Sequence, residues 1–125
     1  MGEAEADLRH ALMAYRSGSY NWSCFAAEQA AEKAMKAFLL GVTKRRPIHV
    51  HDLSVLHRQT RDRLTLPVSV SMRLAELSSY YTVARYPNSG LTRPSISITA
   101  TQAKSAIETA RGIVKIVKRQ ITKRS

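Results

Sequence analysis

The sequence has few residues of the kinds that define several common classes of protein. Its 125 residues contain a single cysteine, Cys24, which excludes an intrachain disulfide and is typical of a reducing compartment. Aromatic residues make up only 6% of the chain, so small and aliphatic side chains must fill the core, which favours packed helices over a β-sandwich. Apolar runs are too short for a membrane span. The first five residues include two glutamates, which makes them unlike the basic start of a signal peptide. We therefore expect a cytoplasmic protein that does not enter a membrane.

Acidic residues are nearly absent from the second half of the chain. Residues 63–125 contain eleven Lys and Arg but only two acids, Glu76 and Glu108, whereas residues 1–62 hold nine basic and seven acidic side chains. Most of the formal net charge of +11 therefore lies in the second half. This balance indicates a polyanionic partner, either a nucleotide, a nucleic acid or an acidic protein surface, although a solvated basic surface has the same composition.

Helical periodicity dominates the first half. One helix carries Leu8, Ala11, Leu12 and Tyr15 on one face and ends at residues 17–19. A second, at about residues 21–40, is predicted to start at an Asn21 cap and to end before Gly41. Its apolar stripe is predicted to comprise Trp22, Phe25, Ala26, Gln29, Ala30, Lys33, Ala37 and Leu40, widened by Ala31, Ala34, Met35, Phe38 and Leu39. On this helix Glu28 and Glu32 make an unfavourable pair of like charges, whereas Glu32 and Lys36 make a favourable pair.

The second half is predicted to add three more helices. Asp52 caps a short third helix, and a fourth covers about residues 69–84 with Val70, Leu74, Leu77, Tyr81 and Ala84 inside. Pro87, Gly90 and Pro94 break the helical pattern across residues 85–97, a segment long enough to have a function. A capping box, Thr99 to Gln102, starts a long last helix. Its inner face is Ala103, Ala106, Ile107, Ala110, Ile113, Val114, Val117 and Ile121, and its basic face, Lys104, Arg111, Lys115, Lys118 and Arg119, could follow a nucleic-acid backbone.

These segments predict an all-α fold, an antiparallel up-and-down four-helix bundle with an additional short helix. We expect a single domain over residues 1–125, with its core at about residues 7–121 and a basic tail at residues 122–125.

At three places the residues resemble the HEPN domain family. The second helix carries Ala26-x-x-Gln29-Ala30-Ala31-Glu32-Lys33-Ala34-x-Lys36-Ala37, the third opens with His51-Asp52-Leu53, and the fourth ends in Tyr80-Tyr81-x-x-Ala84-Arg85-Tyr86-Pro87. The Ala-rich last helix, leading into Ala110-x-x-Ile113-Val114, completes the pattern, so the resemblance covers about residues 7–121.

The resemblance implies a homodimeric helical bundle that handles nucleotides or RNA. Many prokaryotic HEPN proteins partner a minimal nucleotidyltransferase, some as toxin–antitoxin pairs. Other branches are metal-independent ribonucleases with an R-x(4–6)-H motif near the last helix. Here no histidine follows Arg85 or Arg93, and the one R-x4-H match, Arg46 to His51, precedes the third helix. The departure favours binding over catalysis and leaves His51 and Arg46 as weak catalytic candidates.

The candidate ligand-binding residues are Arg85, Tyr86, Lys36, His51 and Asp52. The planar guanidinium of an Arg at a helix end can donate two parallel hydrogen bonds to a phosphate, and a neighbouring Tyr can stack on a base. Alternatively, Arg85 pairs with Glu32 or Asp52 and Tyr86 closes the core. Lys36 either assists in phosphate binding or pairs with Glu32. Asp52 is expected to cap the third helix, and His51 to be held by local hydrogen bonds or to transfer protons near neutral pH.

We expect neither a metal site nor a cofactor. His49, His51 and His57 could approach one another, but histidines with no further ligand in a loop are weak evidence for zinc. Together with the resemblance, these candidate residues imply a HEPN homodimer that binds a nucleotide or RNA and partners a minimal nucleotidyltransferase. The alternatives are a metal-independent endoribonuclease and a non-catalytic partner of an acidic protein.

Overall fold

Helices make up most of the chain in the computed structural model, which describes residues 1–46, 50–84 and 98–124, with residue 124 described by its backbone alone. Six helices follow one another, of which the fourth is a single turn. They are α1 (Gly2–Arg16), α2 (Tyr20–Phe38), α3 (Leu53–Thr60), α4 (Val68–Ser71), α5 (Leu74–Val83) and α6 (Ala100–Arg124). The fold is the expected all-α antiparallel bundle, and strands are absent from the described ranges.

The long helix α2 lies at the centre of the bundle, where it packs against α1, α6, α5 and α3. Alanines at 27, 30, 31 and 34 are all fully buried on it and allow the neighbouring helices to approach closely. Larger side chains at Met35 and Phe38, also fully buried, fill the space towards its end. The buried apolar residues of all the long helices form one continuous cluster around this axis.

The predicted stripe of α2 was only partly right. Trp22 and Leu40, two of its members, are each 56% exposed, whereas the residues predicted to widen the stripe form the buried face. The reason is that Glu28 and Glu32 are both buried on the inner face, where charged side chains are rarely found. Cys24 is buried as expected, and burial raises the pKa of its thiol to about 12, so it is an unreactive part of the core.

The bounds of α2 lie within two residues of those predicted, but both predicted caps were wrong. The N-cap is Ser19 rather than Asn21, and the Asn21 side chain instead accepts a hydrogen bond of 3.3 Å from the backbone N–H of Ile98. At the other end a π-helical turn, Leu39–Thr43, carries the chain past Gly41. The chain leaves the helix at Lys44, which takes the left-handed conformation with φ of 61°.

The predicted fourth helix is divided into α4 and α5. The break at Met72 and Arg73 turns α4 onto α6, where Val70 packs over Gly112, and the Arg73 guanidinium donates a 2.6 Å hydrogen bond to Ser105 of α6. On α5 the inner face is Leu74, Leu77 and Tyr80, so the prediction that Tyr81 faces the core was wrong. Both tyrosines fit helical spacing from Leu77, and the sequence alone does not distinguish them.

The start of α6 is the predicted capping box. The backbone N–H of Thr99 donates to the Gln102 side chain at 2.8 Å, and the backbone N–H of Gln102 donates to the Thr99 hydroxyl at 3.1 Å. The predicted inner face of α6 is buried from Ala103 to Val117, with Ile121 partly buried. Among the helices that can be described, none is both long enough and apolar enough to span a bilayer.

Candidate functional site

A buried carboxylate on α2 holds together the polar groups of the candidate site. Glu32 is only 4% exposed, and its Oε1 accepts a 2.8 Å hydrogen bond from Lys36 Nζ, one turn further along the same helix. The same oxygen lies 2.8 Å from Nδ1 of His51, which comes from the segment before α3. Gln29 Nε2 makes a longer contact of 3.4 Å with Oε2. Glu32 therefore orients two groups that can carry positive charge.

The second buried acid, Glu28, lies one turn before Glu32 and is electrically neutral at physiological pH. Burial, reinforced by the negative charge of Glu32, raises the pKa of Glu28 to about 9. One Glu28 oxygen accepts a 2.8 Å hydrogen bond from Gln29, and the other, Oε2, has no donor around it in the described part of the chain. Glu28 therefore keeps its carboxyl proton, and a hydrogen bond between its side chain and that of Glu32 adds to the raised pKa.

The ionisation of Glu32 is the opposite of that of Glu28. Burial opposes its charge, but the hydrogen bonds from Lys36, Glu28 and His51 outweigh burial and lower the pKa of Glu32. The repulsion expected between the two glutamates is relieved by protonation of Glu28, because the negative charge of Glu32 is itself one cause of the raised pKa of Glu28. The sequence pattern does not reveal this, since it depends on burial of both side chains.

His51 is fixed from two directions. Its ring stacks on Tyr81 of α5 with centroids 3.8 Å apart and planes 13° from parallel, while Nδ1 faces Glu32. The backbone around it is tied to α5 by Ser78, whose hydroxyl donates to the His51 carbonyl at 3.1 Å and accepts from the Leu53 N–H at 3.0 Å. His51 is thus held by long-range contacts with α2 and α5, which the sequence did not indicate.

A groove of about 380 Å³ opens beside His51, between the start of α3 and the face of α5. We call it the His51 groove. It is lined mainly by groups that form hydrogen bonds, and its members are His51, Asp52, Ser54, Ala75, Ser78, Ser79, Tyr81 and Thr82. Asp52 also caps α3 as expected, because its Oδ1 accepts a 2.9 Å hydrogen bond from the Ser54 N–H.

Of the residues selected from the sequence, Lys36, His51 and Asp52 lie in one neighbourhood. The alternative interpretation of Lys36, as the ion-pair partner of Glu32, is confirmed. Arg46 is exposed on the chain after the π-helical turn and is not among the residues that line the groove. Arg85 and Tyr86, and also His49, lie outside the described residues, so their roles stay predictions.

Sequence reasoning missed Glu28 and Tyr81 as parts of the site. A signal for Glu28 was present, since a glutamate flanked by alanines at 27, 30 and 31 interrupts the apolar inner face. Tyr81 gave no such signal, because its stacking on His51 is a long-range contact between segments. Across residues 1–46, 50–84 and 98–124, no three His, Cys, Asp or Glu side chains are grouped to hold a metal ion.

Comparison with known proteins agrees with the all-α fold. The HEPN domain family model matches residues 1–120. The crystal structure of TT1696 from Thermus thermophilus matches with a TM-score of 0.83 and 28% identity, covering 95% of this chain and 93% of that one. The crystal structure of ST0689, an archaeal HEPN homologue, matches with a TM-score of 0.75 and 30% identity over 96% and 93% of the two chains. No curated protein matches. The chain belongs to the HEPN domain family.

Proposed function

We propose that this HEPN domain binds the phosphate and base of a nucleotide, or of an RNA end, in the His51 groove. The observation that carries the proposal is the shared Glu32 carboxylate, to which both Lys36 Nζ and His51 Nδ1 are held at 2.8 Å. Of these three residues, His51 lines an open, hydroxyl-rich groove. A site whose donors are held in place before binding loses less conformational entropy when the ligand arrives.

The charges of the cluster favour an anion. Glu28 is neutral, so the single negative charge of Glu32 is already balanced by Lys36. Protonation of His51 would therefore leave the cluster with a net positive charge, which a phosphate can neutralise. Hydroxyl groups of Ser54 and Thr82 in the groove lining supply further donors of the kind that phosphate oxygens accept.

Calorimetric titration with AMP and ATP tests this proposal. We expect His51→Gln and Lys36→Met each to weaken binding about tenfold or more, because each removes a hydrogen bond to a charged group. The matched controls are His57→Gln on α3 and Lys44→Met after α2, which remove the same groups from positions that belong neither to the Glu32 cluster nor to the groove lining. If the site variants bind as the controls do, the groove is not the nucleotide site.

The predicted Arg85 and Tyr86 can be tested in the same titration. Both follow α5, which provides the Tyr81 side of the groove. If they contact the ligand, Arg85→Ala weakens AMP binding and reduces its dependence on salt, since one phosphate contact is lost. An unchanged affinity in Arg85→Ala would remove these residues from the site without affecting the Glu32-centred part of the proposal.

The partner half of the proposal is a homodimer that associates with a minimal nucleotidyltransferase, as the family resemblance implies. Light scattering on the purified chain gives its oligomeric state directly. Co-expression with a nucleotidyltransferase encoded next to it, followed by purification through a tag on one chain, tests the association. A monomeric chain that never co-purifies would overturn this half.

A second candidate, a metal-independent endoribonuclease, is favoured by one contact. The carboxylate–imidazole pair of Glu32 and His51, 2.8 Å apart, is the arrangement that fixes a histidine for proton transfer. RNA cleavage in chelator that is lost in His51→Gln but kept in His57→Gln would support it. The absence of cleavage across varied RNAs would leave the binding role alone.

A further inference from the structure

A second groove lies between α1 and α6 and shares no residue with the His51 groove. Its volume is about 330 Å³, and we call it the α1–α6 groove. Leu12 and Tyr15 of α1 and Ile107 of α6 give it an apolar floor, and Lys104, Glu108 and Arg111 of α6 give it charged walls. An aromatic ring and aliphatic side chains between two cations are the elements with which proteins hold an unstacked base.

The charged wall of this groove continues along α6. From Lys104 to Lys118 the exposed charged side chains of that helix follow one another at intervals of three or four residues, and only one of them, Glu108, is acidic. The basic ones, which we call the cation row, are Lys104, Arg111, Lys115, Lys118, Arg119 and Lys123. From Lys104 to Lys123 the helix rises about 28 Å at 1.5 Å per residue, so the row spans several nucleotides of a strand.

We propose that the α1–α6 face is a binding surface for single-stranded RNA, with one base in the α1–α6 groove and the following phosphates along the cation row. This inference goes beyond the proposed function and does not rest on the His51 groove, with which the surface shares no residue. Charge complementarity with a polyanion follows from the row, and the preference for a nucleic acid over an acidic protein follows from the groove at its end.

Two features of the groove favour a single strand. A base can reach Tyr15 only when it is unpaired and unstacked, which a duplex does not allow without losing pairing and stacking energy. Glu108 would repel a phosphate at this point, whereas a carboxylate accepts hydrogen bonds from the exocyclic amino group of a base such as cytosine. The groove is therefore a place for a base, and oligo(rC) should bind more tightly than oligo(rU).

Fluorescence anisotropy with labelled 12-nucleotide oligo(rC), measured over a range of salt concentrations, tests the surface. In the triple variant Lys104→Gln/Arg111→Gln/Lys115→Gln, loss of three phosphate contacts should lower the salt slope by about 2 and the affinity at 0.1 M salt about 100-fold. In Tyr15→Leu, loss of stacking should weaken binding about fivefold or more at an unchanged salt slope.

The matched control is Arg58→Gln/Arg61→Gln/Arg63→Gln, which removes the same charge from exposed positions on and after α3. It should leave RNA binding within about twofold of the parent. Equal losses in both triple variants would reduce the effect to overall charge and overturn the proposal. Equal or tighter binding of a 12-base-pair RNA duplex would also overturn it. So would unchanged RNA binding in Tyr15→Leu if polyglutamate, an acidic polypeptide, also displaces the RNA completely from the parent protein.

The same variants separate this inference from the proposed function. Because the two grooves share no residue, the cation-row triple variant should bind AMP normally, and His51→Gln should bind oligo(rC) within about twofold of the parent. Loss of AMP binding but retention of oligo(rC) binding in His51→Gln supports both assignments. Loss of oligo(rC) binding in His51→Gln and not in the triple variant would move the strand to the His51 groove and overturn the inference.

Discussion

The two grooves of this bundle organise charge in opposite ways. Beside the His51 groove, the negative charge is buried and matched, because Glu32 is 4% exposed and holds the partly exposed Lys36 and His51 on one oxygen. On the α1–α6 face, charge is exposed and unmatched along most of the cation row, where Lys118 alone forms an ion pair, 2.7 Å from Glu5. The statement that Lys118 alone is paired refers to ion pairs within the described part of the chain.

This difference separates stability from binding. A buried ionic cluster strongly affects folding, because removal of one partner leaves the others buried without a counter-charge. Exposed cations contribute little to folding because water and salt screen them, but they dominate attraction to a polyanion. Substitutions in the two regions should therefore have large effects on different measurements, and the following predictions test this from the largest effect on stability to the smallest.

The largest loss of stability is expected for Glu32→Gln. The amide has one acceptor oxygen and no charge, so the hydrogen bonds from Lys36, His51 and Glu28 are weakened together. We expect a loss of about 3 kcal/mol in the free energy of unfolding at pH 7. Urea unfolding followed by circular dichroism measures it, with Glu76→Gln on α5 as a control outside the cluster. A difference below about 1 kcal/mol would show that the cluster does not support the fold.

Glu28→Gln should act in the other direction. Its pKa is higher in the folded chain than in the unfolded chain, so the parent protein loses stability as the pH rises from about 4.5 towards 9. Glutamine copies the neutral form, so the variant should be more stable than the parent by on the order of 2–3 kcal/mol at pH 7. The two proteins should converge below pH 4.5. Parallel pH profiles for variant and parent would contradict a neutral Glu28.

A smaller effect is expected at the start of α6, the helix that carries the cation row. Thr99→Ala removes the hydroxyl that accepts from the Gln102 N–H at 3.1 Å. Loss of such a cap costs about 1 kcal/mol. Thermal unfolding should show it, and Thr101→Ala, within the first turn but outside the capping box, should not. Equal shifts in both variants would mean that the capping box adds nothing to helix stability.

The cation row should affect stability least. Lys115→Gln is expected to leave the melting temperature within about 2 °C of the parent, since exposed substitutions away from caps and the core are nearly neutral. The same variant should reduce the salt slope of oligo(rC) binding by about 0.7, the contribution of one phosphate contact on a single strand. A large drop in melting temperature would mean that the row supports the fold and is not simply a binding surface.

Prediction from the sequence succeeded for local and exposed features and was weaker for the buried cluster. Local signals, such as the capping box from Thr99 to Gln102 and the Asp52 cap, were correct because they depend on neighbouring residues. The exposed cations of α6 were also correct, since helical spacing places them opposite an apolar face. Wherever two distant segments meet, prediction failed or was incomplete. The stacking of His51 on Tyr81 and the neutral Glu28 both depend on tertiary packing that no local pattern records.

The central claim is that Glu32 holds Lys36 and His51 in place for a phosphate in the His51 groove. It is tested most directly by NMR of the histidine ring nitrogens during titration with AMP, with adenosine as the control that lacks phosphate and His51→Gln to assign the signal. We predict that AMP shifts the His51 signal, that adenosine shifts it far less, and that His10 on α1 does not respond. An unshifted His51 signal while AMP binds, or equal shifts with adenosine, would contradict the account.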